Sequence, residues 1–311
     1  MDRLLIAKAL TESGVGDALK QPEVDKVIAN LLAEKSALRA LLPRKKGSGQ
    51  AYIINRRTPT ASASRAAWVV DTDTPTEATG TYEQVLFPYK TILAKGKVSR
   101  KVQATGASYV DVLADEIEAR IEEFRTVEED AYINANGWAT DAKQPLGLIK
   151  QIQDAGQVVD GGGQSLSLSM MDELIDKCKG QPNVIIMSKQ GRRVLQSKLQ
   201  TYQRFVDMVE VAAGFRVLSY NGIPVIVSDF VYDNYLVENG NIVGTTNSDT
   251  DKRMAAFAIN FSECFAAELT PVTITPLAKS TSQYDEFEIF CDEALVIRDY
   301  TTCAALINFK A

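Results

Sequence analysis

Between Pro22 and Leu41 apolar positions recur at helical spacing, with Val24, Val27, Ile28, Leu31, Leu38 and Leu41 on one side. The stretch predicts an amphipathic helix that tolerates Pro22 in its first turn and stops at Pro43. Arg44 to Gly49 then reads as a flexible hinge. From Ala51 to Val98 the period drops to two: Tyr52, Ile53 and Ile54, then Trp68, Val69 and Val70, then Val85, Phe87, Tyr89, Thr91 and Leu93 on one strand face. A long two-stranded excursion is predicted, and such a hairpin is marginal in water without a partner surface. Helical spacing returns over the 29 residues Ser108 to Asn136, where Val110, Leu113, Ile117, Ile121, Phe124 and Ala131 form a stripe closed by Asn136-Gly137. At 1.5 Å per residue this helix would span roughly 40 Å.

The second half has shorter periods. Ser169 with Asp172 resembles a helix-starting capping box, Leu174, Ile175 and Cys178 supply a buried stripe, and Gly180 with Pro182 ends it. Val184 to Met187 predicts a buried strand, and Ser188 caps a helix running to about Gln200 with Val194, Leu195 and Leu199 inward. Asn221-Gly222, between Phe215/Val217 and Ile223/Val225/Val227, is a strong signal for a tight hairpin. Met254–Phe261, Val272–Thr275 and Phe287–Cys291 read as strands, and Cys303 to Phe309 returns to a core. The mixture is α+β.

Charge changes this picture most. Residues 35–70 hold eight Lys or Arg and no Asp or Glu, while the predicted long helix holds nine acids. Residues 1–101 carry 17 basic and 10 acidic side chains (+7), against 17 and 30 (−13) for residues 102–311. The basic stretch is also poor in large apolar side chains, so it is expected to fold against something else, and the acidic helix of an identical neighbour is the matching surface. Arg44-Lys45-Lys46 and Arg56-Arg57 fit three readings: nucleic-acid contact, solubility, or docking on an acidic neighbour. Docking is preferred because its complement is encoded in the same chain. The expected inter-subunit contacts are Lys45, Lys46, Arg56, Arg57 and Arg65 against Glu118, Glu122, Glu123 or Glu129 of another copy. An acidic pI near 5.0 argues against a protein that coats nucleic acid uniformly.

Catalytic chemistry finds little support. With no histidine among 311 residues, every Ser-His or Cys-His relay is excluded. P-loop and nucleophile-elbow patterns are missing, and Gly14-Val15-Gly16 lacks the third glycine of a dinucleotide fingerprint. Gly161-Gly162-Gly163 reads as a turn, and the helix glutamates as a solvated or partner-facing surface rather than a cation site. Cys178, Cys264, Cys291 and Cys303 show no metal-ligand spacing and are read as reduced packing residues. No catalytic, cofactor-binding or metal residue is assigned. No apolar run suits a membrane span and Met1 to Leu10 lacks a signal-peptide pattern, so synthesis and retention in the cytoplasm are expected, with no membrane partner.

The order of these parts resembles the major capsid protein of tailed bacteriophages, the Hong Kong 97-like family. The resemblance rests on "KTILAKGKVSRKV" followed by the acidic helix ending in "INANG", on "QPLGLI" at Gln144–Ile149, on "NVIIMSKQGRRVLQSKL", on "YNGIPVIVSD" and on "RDYTTCAALINFK". It implies an N-terminal arm (1–50), an extended loop across a neighbouring subunit (51–98), a peripheral domain with the spine helix 108–136 (99–165 and 262–295) and an axial domain (166–261 and 296–311). It also implies a non-enzymatic chain that assembles with itself, as pentamers and hexamers, into an icosahedral virion shell around double-stranded DNA bound without sequence specificity. A portal, possible decoration proteins and a separate scaffolding protein are the further partners expected, the last because only about fifty residues precede the loop. No position matches the Lys-Asn crosslinks of some members, and none is assigned. The alternatives are an encapsulin-type nanocompartment shell, which shares the fold, a histidine-free enzyme with the basic loop as a lid, and a tail or connector protein.

Overall fold

The computed structural model describes residues 37–58, 68, 70–71, 80–106, 111–137, 143–201, 208–212, 215–245, 252–277 and 283–311. In chain order the elements are α1 (Ala37–Leu41), β1 (Arg44–Lys46), β2 (Ala51–Thr58), β3 (Thr81–Pro88), β4 (Lys90–Ser99), α2 (Arg100–Gly106) and α3 (Val112–Asn134). There follow α4 (Leu148–Asp154), β5 (Val158–Asp160), α5 (Leu168–Lys177), β6 (Val184–Met187), α6 (Lys189–Thr201), β7 (Met208–Ala212), β8 (Phe215–Tyr220) and β9 (Ile223–Val227). The chain closes with β10 (Tyr235–Glu238), β11 (Asn241–Thr245), β12 (Met254–Ile259), β13 (Cys264–Pro276), β14 (Tyr284–Ile297) and β15 (Ala304–Phe309). The part of the predicted N-terminal helix before Ala37 lies outside the described residues, as does Arg65.

Two sheets organise the molecule. The larger has seven strands in the order β5-β15-β12-β6-β9-β8-β7. Its central strands are buried on both faces, which is why Val184–Met187 and Met254–Ile259 read as unbroken apolar runs. Val184 and Ile186 face a core completed by Tyr132, Ile133, Leu148 and Ile152 from α3 and α4. Ile185 and Met187 face Met171, Leu174, Leu195 and Leu199 from α5 and α6. The β8–β9 hairpin turns on Asn221 and Gly222, whose φ of 51° and 78° are those a type I′ turn demands. Ser188 caps α6 through Gly191 N (3.0 Å) as predicted, whereas α5 is capped by Ser167, two residues before the expected Ser169.

The smaller sheet has the order β1-β13-β14-β4 and lies against α3. Leu113, Ile117, Ile121 and Phe124 of the predicted stripe pack on Phe287, Ile289, Cys291, Ile92 and Ala94. Gly96 is required here, since a Cβ at that position would run into the Phe287 ring. Both long strands exceed their predicted lengths, because register shifts between Glu268 and Thr273 interrupt the alternation that a sequence pattern can follow. On the opposite face of the sheet Phe265, Ala267, Ala294 and Val296 receive Tyr52, Ile54, Val85 and Phe87 of the antiparallel β2–β3 hairpin.

Two expectations are corrected. The extended excursion does not run to residue 98: Lys90–Ser99 is β4, paired along its length with β14 of the same chain. Nor does the basic stretch depend wholly on another copy, since Leu38, Leu42 and Ile54 are all buried within their own subunit.

Candidate arm-docking and assembly site

The last two turns of α3 carry Glu128 and Glu129, both inaccessible to solvent although a carboxylate buried alone would be prohibitively costly. Each is satisfied by the segment that precedes the hairpin. Glu129 accepts the backbone N–H groups of Leu38 and Arg39, both at 3.0 Å, and the Ser228 hydroxyl at 2.9 Å. It thereby satisfies the free donors at the start of α1, a task normally left to a neighbouring Ser or Asp. Glu128 takes the guanidinium groups of Arg39 and Arg44. Arg44 also reaches Glu268 on β13 and lies 3.8 Å from Glu293 on β14. Burial works against the Arg44 charge, but Glu128 and Glu268 more than compensate and hold its pKa above the ordinary arginine value. One arginine thus ties β1, α3 and two strands of the smaller sheet together.

Glu268, Cys291 and Glu293 converge closely enough to resemble a metal-ligand set. The cation among them is the Arg44 guanidinium, and burial pushes the Cys291 thiol up, away from the thiolate a metal would need. The other three cysteines are also buried and unpaired, as packing residues are.

The β2–β3 hairpin has two faces with opposite fates. On the inner face Arg56 donates to the carbonyls of Ile297 (2.6 Å) and Arg298 (2.9 Å) and lies over the Tyr300 ring. Burial pulls its pKa down, with Glu83 directly across the ladder acting in the other direction. A cavity of about 460 Å³, lined by Arg56, Glu83, Val85, Phe87, Gln151 and Tyr300 among others, separates the hairpin from the body. On the outer face the paired residues Ile53 and Leu86, and Arg57 with Tyr82, are exposed.

The structure therefore divides the predicted contact residues. Glu129 is removed from the outer face altogether, because it is committed to α1 and Ser228 of its own chain. Arg56 likewise serves its own subunit. Lys45 is exposed but sits 3.7 Å from the centre of the Phe265 ring, and Glu123 pairs with Arg120. Arg57, Lys46 and Glu118 remain exposed, with Glu122 partly so. Sequence reasoning missed Glu128, Glu268 and Glu293, whose partners lie up to 224 positions away. The available signal was the pairing of Arg39 and Arg44 with consecutive acids near a helix C-terminus, where the helix dipole makes acids unwelcome.

The sequence matches the model of the phage capsid family over residues 16–257. The chain belongs to the phage capsid family. Solved structures share the fold across nearly the whole chain. The capsid of a native GTA particle is 15% identical, with a TM-score of 0.72 over 96% of this chain and 98% of that one. The SrpI encapsulin of Synechococcus elongatus PCC 7942 is 14% identical, with 0.70 over 95% and 94%. Gordonia phage Cozz gives 13% identity and 0.63 over 100% and 99%. No curated protein matches. The fold is the Hong Kong 97 capsid architecture, and the family member is a structural, non-enzymatic subunit of a self-assembling shell. Among the described residues no helix is long and apolar enough to cross a membrane.

Proposed function

We propose that this phage capsid family member is a major capsid protein whose copies, in rings of five and six, close an icosahedral shell around a double-stranded DNA genome. The observation that carries the reading is the outer face of the β2–β3 hairpin: Ile53, Leu86 and Tyr82 are 49%, 48% and 70% exposed on a ribbon that, among the described residues, has two strands and no third beside them. A soluble monomer gains nothing from such a face, whereas a shell subunit covers it with the next copy. Arg57 and Lys46, on the basic side, are suited to the Glu118 and Glu122 stripe of that copy. In this reading residues 1–50 act as an arm, the hairpin as the extended loop, the smaller sheet with α3 as the peripheral domain and the larger sheet as the axial domain. Many modest contacts made by straddling segments add up to a stable shell from soluble subunits. Assembly takes place in the host cytoplasm with a separate scaffolding protein and a portal, and decoration proteins bind outside. The DNA is held without sequence-specific contacts, consistent with the net charge of −6.

Electron microscopy of the expressed full chain, with and without scaffold, tests the reading. Closed particles containing nuclease-resistant DNA of genome length are expected from the infected host. Closed particles that co-purify with a protein cargo instead would transfer the chain to the encapsulin reading, which its likeness to the SrpI shell favours. Open rings or a persistent monomer would overturn both.

A further inference from the structure

A hydrogen-bond imbalance lies beneath the Arg44 clasp. The Tyr132 hydroxyl lies 2.6 Å from Glu293 Oε2 and 3.2 Å from Glu128 Oε1, and all three residues are buried. One hydroxyl has one hydrogen. If both carboxyls are ionised, one of these contacts sets a carboxylate against an oxygen lone pair in a water-poor environment. The surrounding charges relieve it only in part. From α3 come Glu128 and Tyr132; from β13, Glu268 stands directly opposite Glu293; from β14, Cys291 Sγ is 3.6 Å away. On the cationic side β1 supplies Arg44, whose nearer partners are Glu268 and Glu128, Arg39 is on Glu128, and β4 supplies Lys90 in register with Glu293. A cavity of about 260 Å³ lined by Lys90, Lys143, Glu128 and Glu293 provides a path for proton exchange.

We propose that in the folded subunit Glu293 keeps its proton in weakly acidic solution and donates it to the Tyr132 oxygen while Tyr132 donates to Glu128, so that folding there takes up a proton. The direction of the acid's shift agrees. Burial, and after it Glu128, outweighs the opposing pull of the Tyr132 hydroxyl and Arg44 and raises Glu293 from an ordinary 4.5 to about 7. The fold binds this proton more tightly than the unfolded chain, so the stabilisation is complete below 4.5 and is lost as the pH climbs to about 7. The upper part of the window is unusually clean: with no histidine, no unperturbed side chain titrates between about pH 6 and pH 8.

Urea unfolding of the full-length, unassembled subunit between pH 5 and pH 9 tests this. Relative to Glu293→Gln, which mimics the neutral acid, the wild-type unfolding constant should rise by about 70-fold between pH 5 and pH 8, the change over that interval that a shift from 4.5 to about 7 implies. The glutamine variant should be the more stable of the two at pH 8. A wild type that tracks the variant at every pH, or a variant destabilised equally throughout, would mean that Glu293 is ionised and overturn the proposal. Should the variant fail to fold, infrared spectroscopy of the wild type decides. A neutral-carboxyl band present at pH 6 and lost above pH 8 supports the proposal, and a spectrum without that band at pH 6 rejects it. Neither measurement depends on shell formation, so the result is independent of what the shell encloses.

Discussion

The commitment of Glu129 to its own chain has a measurable consequence. Glu129→Ala removes the acceptor of two backbone donors and one hydroxyl, all within 3.0 Å; the Leu38 N–H and the Ser228 hydroxyl are buried and the Arg39 N–H partly so. A hydrogen bond to a charged group contributes about 1.5–3 kcal/mol, and an orphaned buried donor costs about 1–3 kcal/mol. These figures overlap rather than add, so the expected loss is about 3–5 kcal/mol, typical of breaking a buried charged network. Glu129→Gln retains a carbonyl oxygen but turns an amide toward the same donors, and should lose about half as much. Urea denaturation of the full chain gives the global figure. Limited trypsin digestion gives the local one: Arg39 and Arg44 are held on α3 in the wild type and should be cut first in Glu129→Ala. A loss below about 1 kcal/mol, no larger than that of the exposed Glu118→Ala, would refute the argument that this carboxylate anchors α1.

The remaining predictions concern packing, chemistry and assembly. Gly96→Ala should destabilise the subunit by about 1–3 kcal/mol in thermal or urea unfolding, because the new methyl overlaps the Phe287 ring in a closely packed sheet. The four buried thiols should resist a disulfide reagent at pH 8 in native protein and react completely after unfolding, since burial pushes Cys178 up to about 12 and shifts Cys264, Cys291 and Cys303 upward as well. Arg57→Glu should reduce the yield of closed particles without altering subunit stability; Arg56→Glu should instead lower stability, because it loses the carbonyls of Ile297 and Arg298. Normal particle yields from Arg57→Glu would remove Arg57 from the proposed contact.

Much of the architecture was legible because it depends on local periodicity. The α3 stripe, the two-sided apolar strands β6 and β12 and the Asn221-Gly222 turn each leave a pattern within a few residues, and the capsid resemblance joins such patterns in order. What escaped depends on distance along the chain. The three-residue strands β1 and β5 have too few positions to show alternation, and exist because β13 and β15 offer them edges. Nor could periodicity reveal that Lys90–Ser99 leaves the hairpin for β14, since both arrangements use the same alternating faces. The acids of α3 form one charged surface in sequence, and only packing separates Glu128 and Glu129, at no more than 1% exposed, from Glu118.

That separation explains how one helix serves two purposes. Carboxylates near the end of α3 face the negative pole of the helix dipole and need cations or hydrogen-bond donors brought close to them. Arg39 and Arg44 arrive in cis, held there by Leu38 and Leu42 in the same core, so the clasp forms in the isolated subunit and orients the chain leading to β2. Glu118, farther from that negative pole, is exposed and keeps its hydration in the isolated subunit. Charge complementarity encoded within one chain is therefore not by itself evidence for contact between copies. Here the part at the helix end, where a lone acid is least tolerable, is used inside the subunit, and only the part that a helix can leave exposed is available for the proposed contact with another copy.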